Sequence, residues 1–230
     1  MGHPMKIEIW SDIVCPWCLV GKRRLEQALA RFEHRGEVEL TWRSYELDPG
    51  APRQRNVTQM QHLASKYRVG EEQARAMIAR VAEAARQDGL ELDLERARTG
   101  STFDAHRLLQ LARVQGSALQ SALAERFFLA TLTEGEAIGE PATLSRLAGE
   151  VGLDASEVSA VLASDRYAAE VRADEAEAAA LGAGGVPFYV IDRKFGLSGA
   201  QPPELMLQAL ERAWAARSAG QKATGGGATG

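Results

Sequence analysis

Patterns typical of β-strands occur only near the two ends of the chain, and this placement most constrains how it can fold. Near the start, apolar and polar residues alternate over residues 6–10 and again over residues 38–42, which predicts two half-buried strands joined by a helix. The crossover of such a strand–helix–strand unit is right-handed. β-structure returns only at residues 186–191, an apolar run typical of a strand buried on both faces, and a partner strand follows at residues 195–198.

The chain between these ends is predicted to be entirely helical. Its segments each carry apolar residues at helical spacing, and Gly or Pro residues separate several of them. Asp154 and Glu157 predict a capping box for the helix that holds Val158 and Leu162. The other predicted helices cover residues 58–67, 71–88, 103–114, 118–132, 144–151 and 166–181, with a closing helix at residues 203–217.

This order of elements predicts an α/β fold with a helical insertion. Residues 5–57 and 184–217 build one domain around a small mixed sheet, and residues 58–183 form a helical domain inserted between them. Residues 218–230 contain no large apolar side chain, so we predict a disordered tail there.

The only two cysteines, Cys15 and Cys18, stand between the first strand and the first helix in the sequence Cys15-Pro16-Trp17-Cys18. Unpaired amides and the dipole at a helix start favour a sulfur anion, and only the thiolate attacks a disulfide. Pro16 suits the first helical position because it has no amide hydrogen. Cys15 is therefore predicted to be the attacking sulfur, and Cys18, one turn further in and more shielded, the resolving sulfur.

Three other interpretations of the cysteine pair compete with redox chemistry. A structural disulfide that encloses only two residues restricts the unfolded chain weakly. Structural zinc takes four ligands, and His34, His62 and His106 stand singly, so no metal is expected unless two chains share it. The third interpretation is a pair of unreactive core cysteines. The position of the motif inside a strand–helix–strand unit favours the redox interpretation.

Pro187 stands at the start of a buried strand, where proline is unusual because it removes a ladder donor. A cis Val186–Pro187 bond would make a tight turn into that strand. The Val186 backbone would then lie beside the cysteines and offer its hydrogen bonds to an extended peptide. A trans proline that marks the strand start is the alternative, and the residues alone leave both open.

Four segments together resemble the DsbA-like thioredoxin-fold proteins, in particular their FrnE-type branch. They are Ser11-Asp12-Ile13-Val14-Cys15-Pro16-Trp17-Cys18 with Gly21, Phe103-Asp104-Ala105-His106-Arg107-Leu108, Gly185-Val186-Pro187-Phe188, and Ser198-Gly199-Ala200-Gln201-Pro202. The resemblance implies a thioredoxin fold with a large all-helical insertion domain, a redox Cys15–Cys18 pair and a cis Val186–Pro187 bond. It further implies a thiol–disulfide oxidoreductase that acts through a mixed disulfide, with no cofactor beyond the dithiol and with glutathione as an exchange partner.

Two other functions stay open beside this one. The same fold family includes glutathione-dependent isomerases of the kappa-class-like 2-hydroxychromene-2-carboxylate isomerase type. Those proteins typically have serine where this chain has Cys15 and lack the second cysteine, so the presence of both favours dithiol chemistry. The other alternative is a non-catalytic module that holds a peptide along the strand at Val186. The chain has no further cysteine for an internal relay, so a partner or a small thiol must reset the pair.

Several residues are predicted to line a substrate site. Trp17 stands where some relatives have histidine, and because it is neutral we expect a less oxidising pair than theirs. It forms either a hydrophobic rim for the substrate or an ordinary surface aromatic. Asp12 is expected near the cysteines, where it moves protons or caps a turn. The predicted substrate-binding set is Trp17, Val186, Pro187, Phe103, His106 and Gln201, of which His106 has a structural role as its alternative.

Charge and hydropathy exclude several classes of partner. The net charge is −4 and no basic cluster suits a phosphate backbone, so we expect no nucleic acid partner. No segment approaches the ~20 apolar residues that cross a bilayer, so we expect no membrane partner. Residues 1–6 lack the apolar core of a signal peptide, which predicts a cytoplasmic location. The expected partner is a thiol or disulfide substrate, protein or small molecule, and the sequence is compatible with a homodimer.

Overall fold

A four-stranded mixed sheet lies at the centre of the computed structural model, which describes residues 3–55 and 57–225, with side chains up to residue 217. Its strands are β1 (Met5–Ser11), β2 (Val38–Ser44), β3 (Phe188–Ile191) and β4 (Phe195–Ser198). Across the sheet the order is β2-β1-β3-β4, with β2 parallel to β1, and β3 antiparallel to both β1 and β4. The two ends of the chain therefore meet in one sheet, which confirms the predicted fold class.

Alternate residues of β3 pack into different clusters, as expected for a strand that is covered on both faces. Tyr189 and Ile191 belong to the main core, together with residues of β1 and of the two helices α1 (Pro16–Arg31) and α9 (Pro203–Gly225). Phe188 and Val190 belong to a smaller cluster on the other side, with Trp10. Because both faces are apolar, the strand is a continuous apolar run.

The helical domain contains seven helices within the described residues. They are α2 (Gln59–Tyr67), α3 (Glu71–Gln87), α4 (Phe103–Gln115), α5 (Ser117–Leu132), α6 (Pro141–Glu150), α7 (Ala155–Leu162) and α8 (Ala168–Ala180). Helices α4, α5 and α8 pack on β2, so this domain covers one edge of the sheet. In the part of the chain that the structure describes, no helix has the length and apolar character to cross a membrane.

Helix starts differ in detail from the prediction. The Asp154 carboxylate caps α7 by accepting from the amides of Ser156 and Glu157 at 2.9 and 3.0 Å. The reciprocal half of the predicted capping box is wrong, because the Glu157 carboxylate instead accepts from the Arg166 guanidinium at 3.0 Å. A complete capping box is found at α2, where the Thr58 hydroxyl and a glutamine three residues later satisfy each other's backbone amides.

Two predicted boundaries are corrected by the structure. The strand begins at Phe188 rather than at Val186, because Pro187 has no amide hydrogen for the ladder. Helix α9 continues to Gly225, so residues 218–225 are helical and not part of a disordered tail. Ala, Gln and Lys in this stretch are good helix formers, which the emphasis on missing apolar residues overlooked. The rest of the predicted tail, residues 226–230, lies outside the described residues.

Candidate active site

The loop after β1 places Cys15 at the start of α1. The Asp12 carbonyl accepts the Cys15 amide hydrogen at 3.0 Å, which closes a turn directly before the helix. Cys15 is the N-cap residue with an extended backbone (φ −92°, ψ 108°), and Pro16 follows at the first helical position. Among the described residues no side chain caps this helix, and its first turn has no acidic residue. The Cys15 sulfur therefore lies at the uncompensated positive end of α1.

Cys18 lies one helical turn further inward than Cys15. Both are free thiols, and the exposed fractions are 6% for Cys15 and 1% for Cys18. Burial raises the pKa of the Cys18 thiol well above its usual range, and the hydrogen bond and charge of neighbouring Cys15 raise it further. Cys18 therefore keeps its proton at neutral pH. The more accessible position of Cys15 fits the predicted division into an attacking and a resolving sulfur.

The segment before β3 lies directly against the Cys15 sulfur. The Val186–Pro187 peptide bond is cis, and the Cys15 thiol lies 3.9 Å from the Val186 carbonyl oxygen. The Pro187 carbonyl accepts the Gly199 amide hydrogen at 2.8 Å. The structure thus brings together Cys15, Cys18, Val186 and Pro187, four of the residues predicted for the site.

Helix α1 approaches this segment so closely that it requires glycine at residue 21. A Cβ atom on Gly21 would lie 2.3 Å from the Tyr189 hydroxyl and 2.9 Å from Cγ of Pro187. The Tyr189 hydroxyl is buried and has no hydrogen-bond partner among the described residues. Burial, followed by the charges of Cys18 and Cys15, raises its pKa well above the usual range, so it is a neutral phenol.

Asp12 connects the active-site loop to the helical domain. One carboxylate oxygen accepts the Leu47 amide hydrogen at 2.7 Å, and the other lies 3.4 Å from Nε2 of His106 on α4. Burial opposes the charged imidazole, but the carboxylates of Asp12 and Glu46 outweigh it and raise the pKa of His106. His106 is 1% exposed, and its contact with the active-site loop runs through Asp12.

The remaining predicted substrate residues lie at different distances from the cysteines. Trp17 is 37% exposed and lines the cavity beside Cys15. Phe103 instead packs under two guanidinium groups, with Arg172 at 4.5 Å from its ring centroid. The Gln201 side-chain amide donates to the Ser198 carbonyl at 2.7 Å. Neither Phe103 nor Gln201 lines that cavity.

The cavity beside Cys15 measures about 150 Å³ and lies between the active-site loop, the 47–55 loop, α2 and α3. Sequence reasoning missed three of its polar residues, Arg55, Gln59 and Lys66. Nothing in their local sequence marks them, because only the tertiary fold brings the 47–55 loop and α2 to the cavity. Its apolar wall includes Leu63, Met77, Ile78, Val81 and Leu94.

A dithiol at the start of the first helix of a thioredoxin-type sheet, with a helical insertion, defines the class of thioredoxin-fold disulfide oxidoreductases. The chain belongs to the DsbA-like thioredoxin domain family, whose model matches residues 6–211. A crystal structure of a probable DsbA oxidoreductase from Streptomyces coelicolor is 47% identical to it, with a TM-score of 0.86, and the match covers 92% of this chain and 90% of that one. These findings confirm the predicted fold and a disulfide oxidoreductase activity. A search of curated proteins gave no match.

Two more distant structures share the fold alone. A 2-hydroxychromene-2-carboxylate isomerase is 16% identical, with a TM-score of 0.60, over 96% of this chain and 98% of that one. The cytosolic disulfide reductase DsbM from Pseudomonas aeruginosa, solved with GSH, is 20% identical, with a TM-score of 0.59, over 90% of this chain and 98% of that one. The fold therefore carries more than one chemistry, and the site must distinguish them.

Proposed function

We propose that the chain exchanges thiols and disulfides through the Cys15–Cys18 pair, with Cys15 forming the mixed disulfide. One observation carries this proposal: Cys15 is the N-cap residue of α1 and lines a cavity, while Cys18 is buried one turn further in and keeps its proton. An accessible sulfur at a helix start attacks, and a shielded neighbour resolves.

The reaction runs in two exchange steps that balance in both directions. The Cys15 thiolate attacks one sulfur of a substrate disulfide, forms the mixed disulfide and releases the first substrate thiolate, which takes up a proton. Cys18 then loses its proton and attacks the Cys15 sulfur, which releases the second substrate thiolate and leaves the Cys15–Cys18 disulfide. The substrate is reduced and the two cysteines are oxidised. An external thiol then reverses both steps, because the chain has no further cysteine.

The backbone beside Cys15 supplies a place for an extended substrate. The Val186 carbonyl oxygen lies 3.9 Å from the Cys15 sulfur, and the neighbouring Trp17 side chain is partly exposed. A main-chain contact of this kind accepts many sequences, since it reads no side chain. The Cys15–Cys18 pair therefore accepts substrates of many sequences, provided that they carry a disulfide or a thiol.

Reduction of insulin by dithiothreitol tests this function. The wild type is expected to shorten the delay before insulin precipitates. The Cys15→Ser/Cys18→Ser variant leaves the delay at the value of dithiothreitol alone, because no mixed disulfide forms. Circular dichroism of the double variant serves as the folding control. Acceleration by a folded double variant would contradict the proposal.

A glutathione-dependent isomerase is the second candidate, and the cavity beside Cys15 is the observation that favours it. Such an enzyme holds glutathione as a co-substrate by its peptide groups, so binding survives without the cysteines. Under the dithiol proposal, glutathione associates chiefly as a disulfide with Cys15. Calorimetry on the double serine variant is therefore expected to show only weak binding, in the millimolar range or above. Saturable micromolar binding would make the isomerase the better assignment.

A further inference from the structure

The cavity beside Cys15 has a wall that is held in place by backbone contacts. The Arg55 amide donates to the Thr99 carbonyl at 3.0 Å, and the Ser101 amide donates to the Pro52 carbonyl at 2.8 Å. Gly100 permits this contact, because a Cβ there would lie 2.0 Å from the Arg53 carbonyl oxygen. The cavity is therefore part of the fold itself, because backbone hydrogen bonds hold the 47–55 loop against the segment before α4.

Two buried polar side chains line this cavity without partners among the described residues. They are Gln59, through its amide oxygen, and Thr99, through its hydroxyl. Their exposed fractions are only 6% and 7%. An unpaired buried polar atom is costly, so such atoms normally pair with a ligand or with water. Gln59 offers an acceptor, and Thr99 offers both a donor and an acceptor.

The charged residues that line the cavity are Asp12, Asp48, Arg55 and Lys66. Arg55 forms an ion pair with Asp48, and the Asp12 carboxylate faces His106. Lys66 makes no ion pair with any described carboxylate, and its ammonium lies 3.5 Å from the Leu47 carbonyl. The mouth of the cavity is therefore suited to an anionic group.

His62 adds no charge to the cavity at neutral pH. Burial, and then the positive charges of Arg55 and Lys66, lower its pKa below the ordinary histidine value. The neutral imidazole keeps one N–H donor and one nitrogen acceptor beside the apolar wall. At about 150 Å³, the cavity accommodates one half of a low-molecular-weight disulfide but not a folded polypeptide.

We propose that this cavity binds low-molecular-weight disulfides that carry a carboxylate, with the sulfur at Cys15 and the carboxylate at Lys66. This inference rests on the proposed Cys15–Cys18 chemistry and names a substrate class for it. The apolar wall takes the carbon skeleton, and Gln59 and Thr99 pair with amide or hydroxyl groups of the bound molecule. The two exchange steps described above then release two equivalents of the small thiol and leave the Cys15–Cys18 disulfide.

Charge gives this proposal a sharp test, because simple thiolate chemistry predicts the opposite preference. A thiolate repels an anionic disulfide and attracts a cationic one. A free dithiol therefore reacts fastest with the cationic cystamine, more slowly with the neutral 2-hydroxyethyl disulfide, and slowest with the anionic 3,3′-dithiodipropionate. The experiment mixes the pre-reduced protein with each compound under low salt and measures the rate constant for Cys15–Cys18 oxidation by acid quench and mass spectrometry. Dithiothreitol with the same compounds gives the intrinsic order.

We expect the protein to reverse that order and to oxidise fastest with dithiodipropionate. Lys66→Gln should lower the rate ratio of dithiodipropionate to hydroxyethyl disulfide by up to about fivefold, the upper end of the range for an exposed ion pair. Lys194→Gln is the control, because it removes the same charge in the β3–β4 turn, at the end of β3 away from Pro187. It should leave the rate ratio unchanged. High salt should shrink the preference of the wild type.

Two outcomes would overturn the inference alone. The first is that the wild type reacts with the three disulfides in the same order as dithiothreitol does. The second is that Lys66→Gln leaves the rate ratio of dithiodipropionate to hydroxyethyl disulfide unchanged. If none of the three compounds oxidised the cysteine pair, the proposed dithiol function would itself be contradicted, and this inference with it.

Discussion

Replacing Cys15 by serine is expected to abolish disulfide reduction, with insulin turnover falling to the rate of dithiothreitol alone. Cys18 cannot take over the attack, because it is 1% exposed and burial holds its pKa well above the usual range. A buried, protonated thiol is a poor nucleophile. The loss should therefore be complete, even though one cysteine remains.

Replacing Cys18 by serine is expected to give a different defect. Cys15 still attacks, but no second thiol resolves the intermediate, so a mixed disulfide with the substrate accumulates. Mass spectrometry of the Cys18→Ser variant after incubation with oxidised glutathione should show one added glutathionyl group, mapped to Cys15. The Cys15→Ser variant treated in parallel is the matched control and should show none. Full turnover by both variants would contradict the redox proposal.

Gly21→Ala is expected to destabilise the fold, although alanine normally stabilises a helix relative to glycine by up to ~1 kcal/mol. The new methyl group would collide with the Tyr189 hydroxyl at 2.3 Å and with the Pro187 ring at 2.9 Å. Overpacking of this kind costs about 1–3 kcal/mol. For a chain of this size the melting temperature should fall by roughly 2–12 °C, which thermal unfolding followed by circular dichroism measures.

Gly149→Ala is the matched control for this substitution. Gly149 also lies in a helix, but a Cβ there would meet nothing within 4 Å, so the control should be neutral or slightly stabilising. Adding Tyr189→Phe to Gly21→Ala removes the closest contact and should recover part of the loss. Equal melting temperatures for wild type and Gly21→Ala would show that α1 does not approach this segment as described.

The fold and the position of the two cysteines at a helix start could be predicted from the sequence, because both depend on local patterns. Alternating apolar residues at the two chain ends indicated the sheet, and a Cys-x-x-C motif after a strand indicated a helix-start dithiol. Trp17 at the cavity also follows from its position between the cysteines. These features need only neighbouring residues to be recognised.

The rest of the site depends on tertiary packing and was predicted less well. Gln59 and Lys66 lie far from Cys15 in sequence, and only the tertiary fold brings α2 to the same cavity. His106 was predicted to line the substrate site, with a structural role as its alternative. A helical histidine gives no sign of which face is buried, and the structure places His106 beside Asp12 with 1% of its surface exposed. The cytoplasmic location and the homodimer stay predictions.

The redox equilibrium of the Cys15–Cys18 pair in glutathione buffers tests the central claim most directly. The fraction of protein with the intramolecular disulfide, read by alkylation and mass spectrometry, should follow a single two-electron transition. Its midpoint should be more reducing than about −120 mV, the value typical of DsbA, because the neutral Trp17 adds no charge to stabilise the thiolate. Two free thiols at every ratio of oxidised to reduced glutathione would contradict the assignment of Cys15 and Cys18 as a redox pair.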